Sequence, residues 1–155
     1  MQAIEGSAVA RWMREALWAY PAVEALHILA LGLVVGSIVM VDLRLLGLSR
    51  DVSVSRLSRH TLPWTVGAFV VAMSTGLLMF TAHADDFLSN RVFAVKMGLL
   101  LLAGANAAIL HTGPWRSIAQ WDTGAMPPTA VRFSAALSIA VWIAVIACGR
   151  LLAYT

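Results

Sequence analysis

Glu24 and His27 stand three residues apart in an otherwise apolar run, so a helix through them presents a carboxylate and an imidazole on one face. Asp42-Leu43-Arg44 closes that run. A later run carries Lys96 near its beginning, Asn106 past its middle and His111 at its end, and His60 and His83 flank the run between. Neutral imidazole is a ligand for iron and copper, histidine titrates near neutrality, and amine and carboxylate groups hold anions and protons. These groups stand out because 60% of the 155 residues are hydrophobic, only 12% are charged, and the mean hydropathy is +0.81. An ordinary soluble domain carries roughly 45–50% apolar and about 25% charged residues, so the composition is that of a membrane protein. In hydrocarbon a charge costs about 2.5–3.5 kcal/mol on insertion scales, which makes each intramembrane polar group a functional candidate.

Composition also excludes several classes. Disorder needs low hydrophobicity, and Cys148, the single cysteine, has no intrachain partner for a disulfide. The eleven basic residues are scattered between apolar runs, as topogenic charge is, rather than gathered into a nucleic-acid stripe. Glu5, Arg11, Arg14 and Glu15 interrupt the first twenty residues, which argues against a cleavable signal peptide. The Gly-x-Ser-x-Gly elbow, the phosphate-binding Gly-x-x-x-x-Gly-Lys loop and the His-Glu-x-x-His motif are all absent, and no catalytic reaction is assigned.

The elements that must position the polar groups are four spans, at 22–41, 63–82, 93–110 and 131–152, each near the ~20 residues that cross a bilayer. Pro21 precedes the first, Pro63 sits at a first-turn position of the second, and Trp18, Tyr20, Trp64, Trp115 and Trp121 fall at belt positions. Residues 7–20 place Val9, Trp12, Met13, Ala16 and Leu17 at helical spacing and predict an amphipathic interfacial helix; residues 53–62 predict a second short surface helix. The expected fold is an all-α, integral membrane four-helix bundle forming a single domain.

With four spans both termini share one side, termed side A, and the 43–62 and 111–130 connections lie on side B. Six arginines on side B against four on side A, with Lys96 inside the third span, place side B in the cytoplasm by the positive-inside rule. Small residues recur four apart, as Gly32/Gly36, Ala68/Ala72/Gly76, Gly104/Ala108 and Ala136/Ala140/Ala144. Such ridges let helices approach closely, first within the bundle and then in a homo-oligomer.

Depth sorts the polar groups. Glu24, His27, His83 and Lys96 belong to side A; Asp42, Arg44, His60, Asn106 and His111 approach side B. His27 and His111 differ by roughly 15 residues of depth, ~20 Å of helix, and cannot share one metal ion in an upright bundle. Two depth-matched histidine pairs in a membrane bundle suit b-type haem, with His27 the leading ligand, His111 marking the second polar centre, and Lys96 or Arg44 placed for propionates. That reading predicts electron transfer and a redox partner. Copper is the alternative cofactor, since Met79 and Met97 share side A with His27 and His83. Two readings need no metal: a proton relay or small transporter built on Glu24, His27 and Lys96, and a structural or accessory protein. In the latter, Glu24 pairs with Lys96, and Asp42 pairs with Arg44 or a neighbouring helix.

Tyr20-Pro21-Ala22-Val23-Glu24-Ala25-Leu26-His27 followed by Asp42-Leu43-Arg44-Leu45-Leu46-Gly47 resembles the first helix of a family of small bacterial four-span membrane proteins of undefined function. Pro63-Trp64, Thr75-Gly76-Leu77-Leu78-Met79-Phe80, Phe93-Ala94-Val95-Lys96-Met97, Asn106 and His111 resemble its second and third helices. The resemblance covers most of the chain and implies a common fold in the bacterial inner membrane. It draws attention to Glu24, His27, Asp42, Arg44, Lys96, Asn106 and His111. His60 and His83 stand outside the pattern, which leaves the position opposite His27 to an exogenous ligand or to a neighbouring protomer.

Overall fold

The computed structural model describes residues 6–152 and Tyr154; Glu5, one of the residues set against a signal peptide, lies outside them. Among the described residues six α-helices follow in order: α1 (Ala8–Glu15), α2 (Ala19–Leu45), α3 (Val54–Ala82), α4 (Ala84–Ser89), α5 (Arg91–Thr112) and α6 (Thr129–Leu151), with a 3-10 helix at Pro114–Gln120. Among the described residues there is no strand. Helices α2, α3, α5 and α6 are long and apolar enough to cross a membrane, so the protein is a multi-pass membrane protein built as an all-α four-helix bundle.

Every span is longer than its apolar run, because helix does not stop where hydrocarbon does. Pro21 lies within the first turn of α2, where its missing N–H has no intrahelical partner to lose. The expected short helix at 53–62 is the beginning of α3 itself: Ser53 caps it by accepting from the Arg56 N–H, and Pro63 sits inside the helix. Thr61 and Thr65 hydroxyls donate to the carbonyls of Leu57 and Thr61 in the turns around that proline. At its other end α2 stops in a Schellman motif, Leu48 N–H to Leu43 C=O and Gly47 N–H to Arg44 C=O. Gly47 has φ +103°, and a Cβ there would lie 2.7 Å from the Met126 sulfur, so only glycine fits.

Backbones approach most closely between α2 and α3, α5 and α6, and α2 and α6, while α3 and α5 meet at side A through stacked Phe80 and Phe93. The mid-bundle core joins Val34, Ala68, Val141, Trp142 and Val145. Polar clamps cross it at fixed depths. Ser37 and Thr65 hydroxyls lie 2.7 Å apart between α2 and α3, and Asn106 donates to the Ser134 carbonyl while accepting from its hydroxyl between α5 and α6.

Two expectations about packing are corrected. Trp121 is not a belt residue: it is buried in a side-B core with Leu45, Val54, Leu110 and Val131, because the 3-10 helix folds the connection back over the bundle end. The small-residue ridges serve intramolecular packing only in part. Ala68 and Ala72 are buried, whereas Gly32, Gly36 and Gly104 face open space and Ala108, Ala136 and Ala140 are exposed. The amphipathic helix is present, shorter than expected, and docked: Ala10 and Met13 are buried, Arg14 donates to the Ala82 carbonyl, and Trp12, Leu17 and Trp18 face outward.

Candidate functional site

At side A, α2 carries His27 against α3, where Nδ1 lies 2.9 Å from the Thr75 hydroxyl. That hydroxyl has one proton and lies 2.7 Å from the Val71 carbonyl and 3.1 Å from that of Ala72, so it accepts from the imidazole. The arrangement assigns the proton to Nδ1, the tautomer of a histidine that ligates through Nε2, and the Ala72 carbonyl also bonds the ring. Gly76 makes room for the ring: a Cβ there would lie 3.2 Å from His27 Cε1.

Lys96, on α5, packs against α6, with its ammonium 3.6 Å from where a Gly149 Cβ would lie. It forms no hydrogen bond or ion pair among the described residues, and it stands close enough to His27 to act on the ring electrostatically, as does Glu24. Glu24 itself is exposed, so the expected Glu24–Lys96 ion pair is absent. His83 terminates α3 and meets Tyr20 edge to face at 5.5 Å. Together these two line an open cleft of about 750 Å³ with Asp86, Phe87, Arg91 and Leu152. The four side-A groups share one end of the bundle but not one site: Lys96 acts on His27 electrostatically, His83 stands with Tyr20 at the cleft, and Glu24 is exposed. Met79 packs apolarly beside Met13 and Ala82, and Met97 is exposed.

Side B is arranged differently. Arg44 and Asp42 are both buried, yet they do not pair. Two residues apart on a helix, they point to opposite faces. The Arg44 guanidinium donates instead to the carbonyls of Val52 (2.6 Å), Asp122 (3.0 Å) and Arg50 (3.3 Å), with Nη1 left unpartnered. Asp42 takes a hydrogen bond from Ser138 of α6 and leaves Oδ2 unpartnered. Asn106 is spent on Ser134, His111 is exposed with its ring stacked on Trp115 at 4.8 Å, and His60 is exposed. The expected polar network of Glu24, Lys96, Asp42, Arg44 and Asn106 is therefore several separate ties. No group of three or more histidine, cysteine or carboxylate side chains placed to hold a metal ion occurs among the described residues.

Sequence reasoning missed Asp122, and it quoted Thr75 and Gly76 without placing them against His27. Asp122 accepts from the Ser53 hydroxyl and the Ser55 N–H, both at 2.7 Å, and its own carbonyl takes the Val54 N–H at 3.1 Å. It caps α3 from 67–69 residues away, a signal that local spacing does not carry. For Gly76 the close approach to His27 sets a testable sign. Gly76→Ala is expected to displace the imidazole and cost about 1–3 kcal/mol by overpacking. Gly98→Ala, which meets nothing within 4 Å, should gain up to about 1 kcal/mol of helix propensity. Thermal unfolding of both variants in detergent checks the pair; equal shifts would remove the packing argument.

The chain belongs to the family of unknown function DUF6644, which matches residues 16–155 and so takes in all four spans. No curated protein and no solved structure matches it.

Proposed function

We propose, for this member of a family of unknown function, that the His27–Lys96 centre holds a b-type haem and that the protein passes electrons in a bacterial inner membrane. The observation carrying this reading is the His27 hydrogen bond to Thr75, which puts the ring proton on Nδ1 and so leaves Nε2 unprotonated. The donor set fits: His27 would supply an imidazole to the iron, and Lys96, with no carboxylate partner among the described residues, would supply a cation for a propionate. When bound, haem supplies a one-electron ferric/ferrous couple. Thr75 orients the imidazole, Gly76 gives it room, and the surrounding apolar spans exclude water. A second ligand would come from outside the chain or from a second protomer. Outward-facing Gly32, Gly36 and Gly104 favour a homo-oligomer, and the side-B arginines favour a cytoplasmic side B.

The test is the visible spectrum of detergent-purified protein, air-oxidised and then dithionite-reduced, with metal analysis. A Soret band that shifts on reduction and disappears in His27→Ala is expected. A colourless, well-folded, metal-free protein would sink both the haem reading and the copper alternative.

A structural or accessory role is the second reading. It is favoured by the way Arg44, Asn106 and Asp122 are each consumed in ties between elements. It expects no colour, and a His27→Ala phenotype confined to stability. A proton-linked transporter would also be colourless but would show pH-dependent flux in liposomes, lost in Lys96→Met.

A further inference from the structure

An apolar groove of about 640 Å³ runs along the outer face between α2 and α3, walled by Leu29, Ala30 and Leu33 on one side and by Trp64, Gly67 and Val71 on the other. At Gly67 an added Cβ would meet nothing within 4 Å, so the groove is open there. The α3 stripe that forms this wall does not end with the groove. Residues 56, 60, 63, 67 and 71 recur at three- and four-residue steps and so share one face of a continuous helix. Followed toward side B, that face passes from Val71 and Gly67 through Pro63 to His60 and Arg56, with Arg59 one turn from Pro63. The Arg56, Arg59 and His60 side chains are exposed and make no hydrogen bond or ion pair among the described residues. Trp64, 62% exposed, stands where the apolar and cationic parts join, the depth at which indole rings favour the headgroup boundary.

We infer that this surface is a binding site for one anionic phospholipid, its acyl chain lying in the α2–α3 groove and its phosphate held by Arg56 and Arg59. Guanidinium groups match phosphate oxygens in a bidentate fashion, and charge complementarity selects an anionic over a zwitterionic headgroup. The groove spans about eight residues of α3, or ~12 Å of bilayer depth from the arginine end, so chain and headgroup are engaged together. The site is separate from the His27 centre and independent of any cofactor there.

The test purifies the full chain from vesicles of equal phosphatidylglycerol and phosphatidylcholine and weighs the retained lipid by native mass spectrometry. One retained phosphatidylglycerol is expected, preferred on the order of tenfold by the paired arginines. Gly67→Leu puts a side chain into the groove without meeting its neighbours and should abolish retention at an unchanged thermal midpoint. Arg56→Gln with Arg59→Gln should retain lipid but lose the headgroup preference. Equal retention of both lipids by the unaltered protein, or unchanged retention in Gly67→Leu, would overturn the site. So would a dimer that Gly67→Leu dissociates, which would assign the groove to a second copy of the chain.

Discussion

Arg44→Ala is expected to destabilise the folded protein by about 1.5–3 kcal/mol, the range for losing buried hydrogen bonds made by a charged donor. Arg44 is 2% exposed at the last turn of α2, and its guanidinium is the common donor for carbonyls of Arg50 and Val52 in the α2–α3 connection and of Asp122 in the α5–α6 connection. Truncation leaves all three carbonyls without that donor and detaches two connections from the bundle end at once. The planar fork is what allows one side chain to serve acceptors in two directions. Arg44→Lys therefore keeps the charge but recovers only part of the loss. Unfolding of the three proteins in detergent, followed by circular dichroism, checks the order wild type, Lys, Ala. A wild-type-like Arg44→Ala protein, within about 0.5 kcal/mol, would mean that other donors, such as the Val54 and Gly124 N–H groups on the Asp122 and Arg50 carbonyls, suffice and the hub contributes nothing.

Asp122→Ala should cost about 1–2 kcal/mol, the typical value of a helix cap, with the loss confined to conditions in which the carboxylate is charged. Desolvation works to raise the Asp122 pKa, but hydrogen bonds from the Ser55 N–H and from the Ser53, Ser55 and Thr123 side chains outweigh it and hold the carboxyl below its ordinary 3.8. The sign follows directly. A carboxyl whose folded pKa lies below the unfolded value adds stability above the unfolded pKa, and that contribution is lost as pH falls through the folded one. The gap between wild type and Asp122→Ala is thus expected to be full at neutral pH, and to narrow only as pH is lowered beneath about 4. Part of the cap should survive acid, because the Ser53 hydroxyl accepts from the Arg56 N–H independently. Thermal midpoints of both proteins at pH 7, 5 and 3 decide the matter. A gap that widens on acidification would place the stabilising charge elsewhere.

Much of this protein follows from one-dimensional pattern. Length and hydropathy specify four membrane helices, since lipid leaves the backbone no partner but its own chain and a span of ~20 apolar residues has one solution. Depth also follows from residue count, which is why His27 and Lys96 share a level on side A and Asp42, Asn106 and His111 lie toward side B. What residue count does not contain is azimuth. Three-residue spacing puts Glu24 and His27 on one broad face, but only the packing of α2 on α3 turns His27 toward Thr75 and leaves Glu24 outside. The sequence left Asp42 either to Arg44 or to a neighbouring helix, and the second holds. The helix sends them to opposite sides, one to Ser138 and the other to three carbonyls that two connections bring back over the bundle end. Helix boundaries diverged for the same reason. Ser53, Asp122 and Gly47 cap ends that lie outside the apolar runs, and Asp122 comes from a connection no local rule relates to α3. Hydrophobic burial is additive along a chain and can be read from it; a hydrogen-bond partner is a property of two directions in space, and only the folded bundle supplies the second.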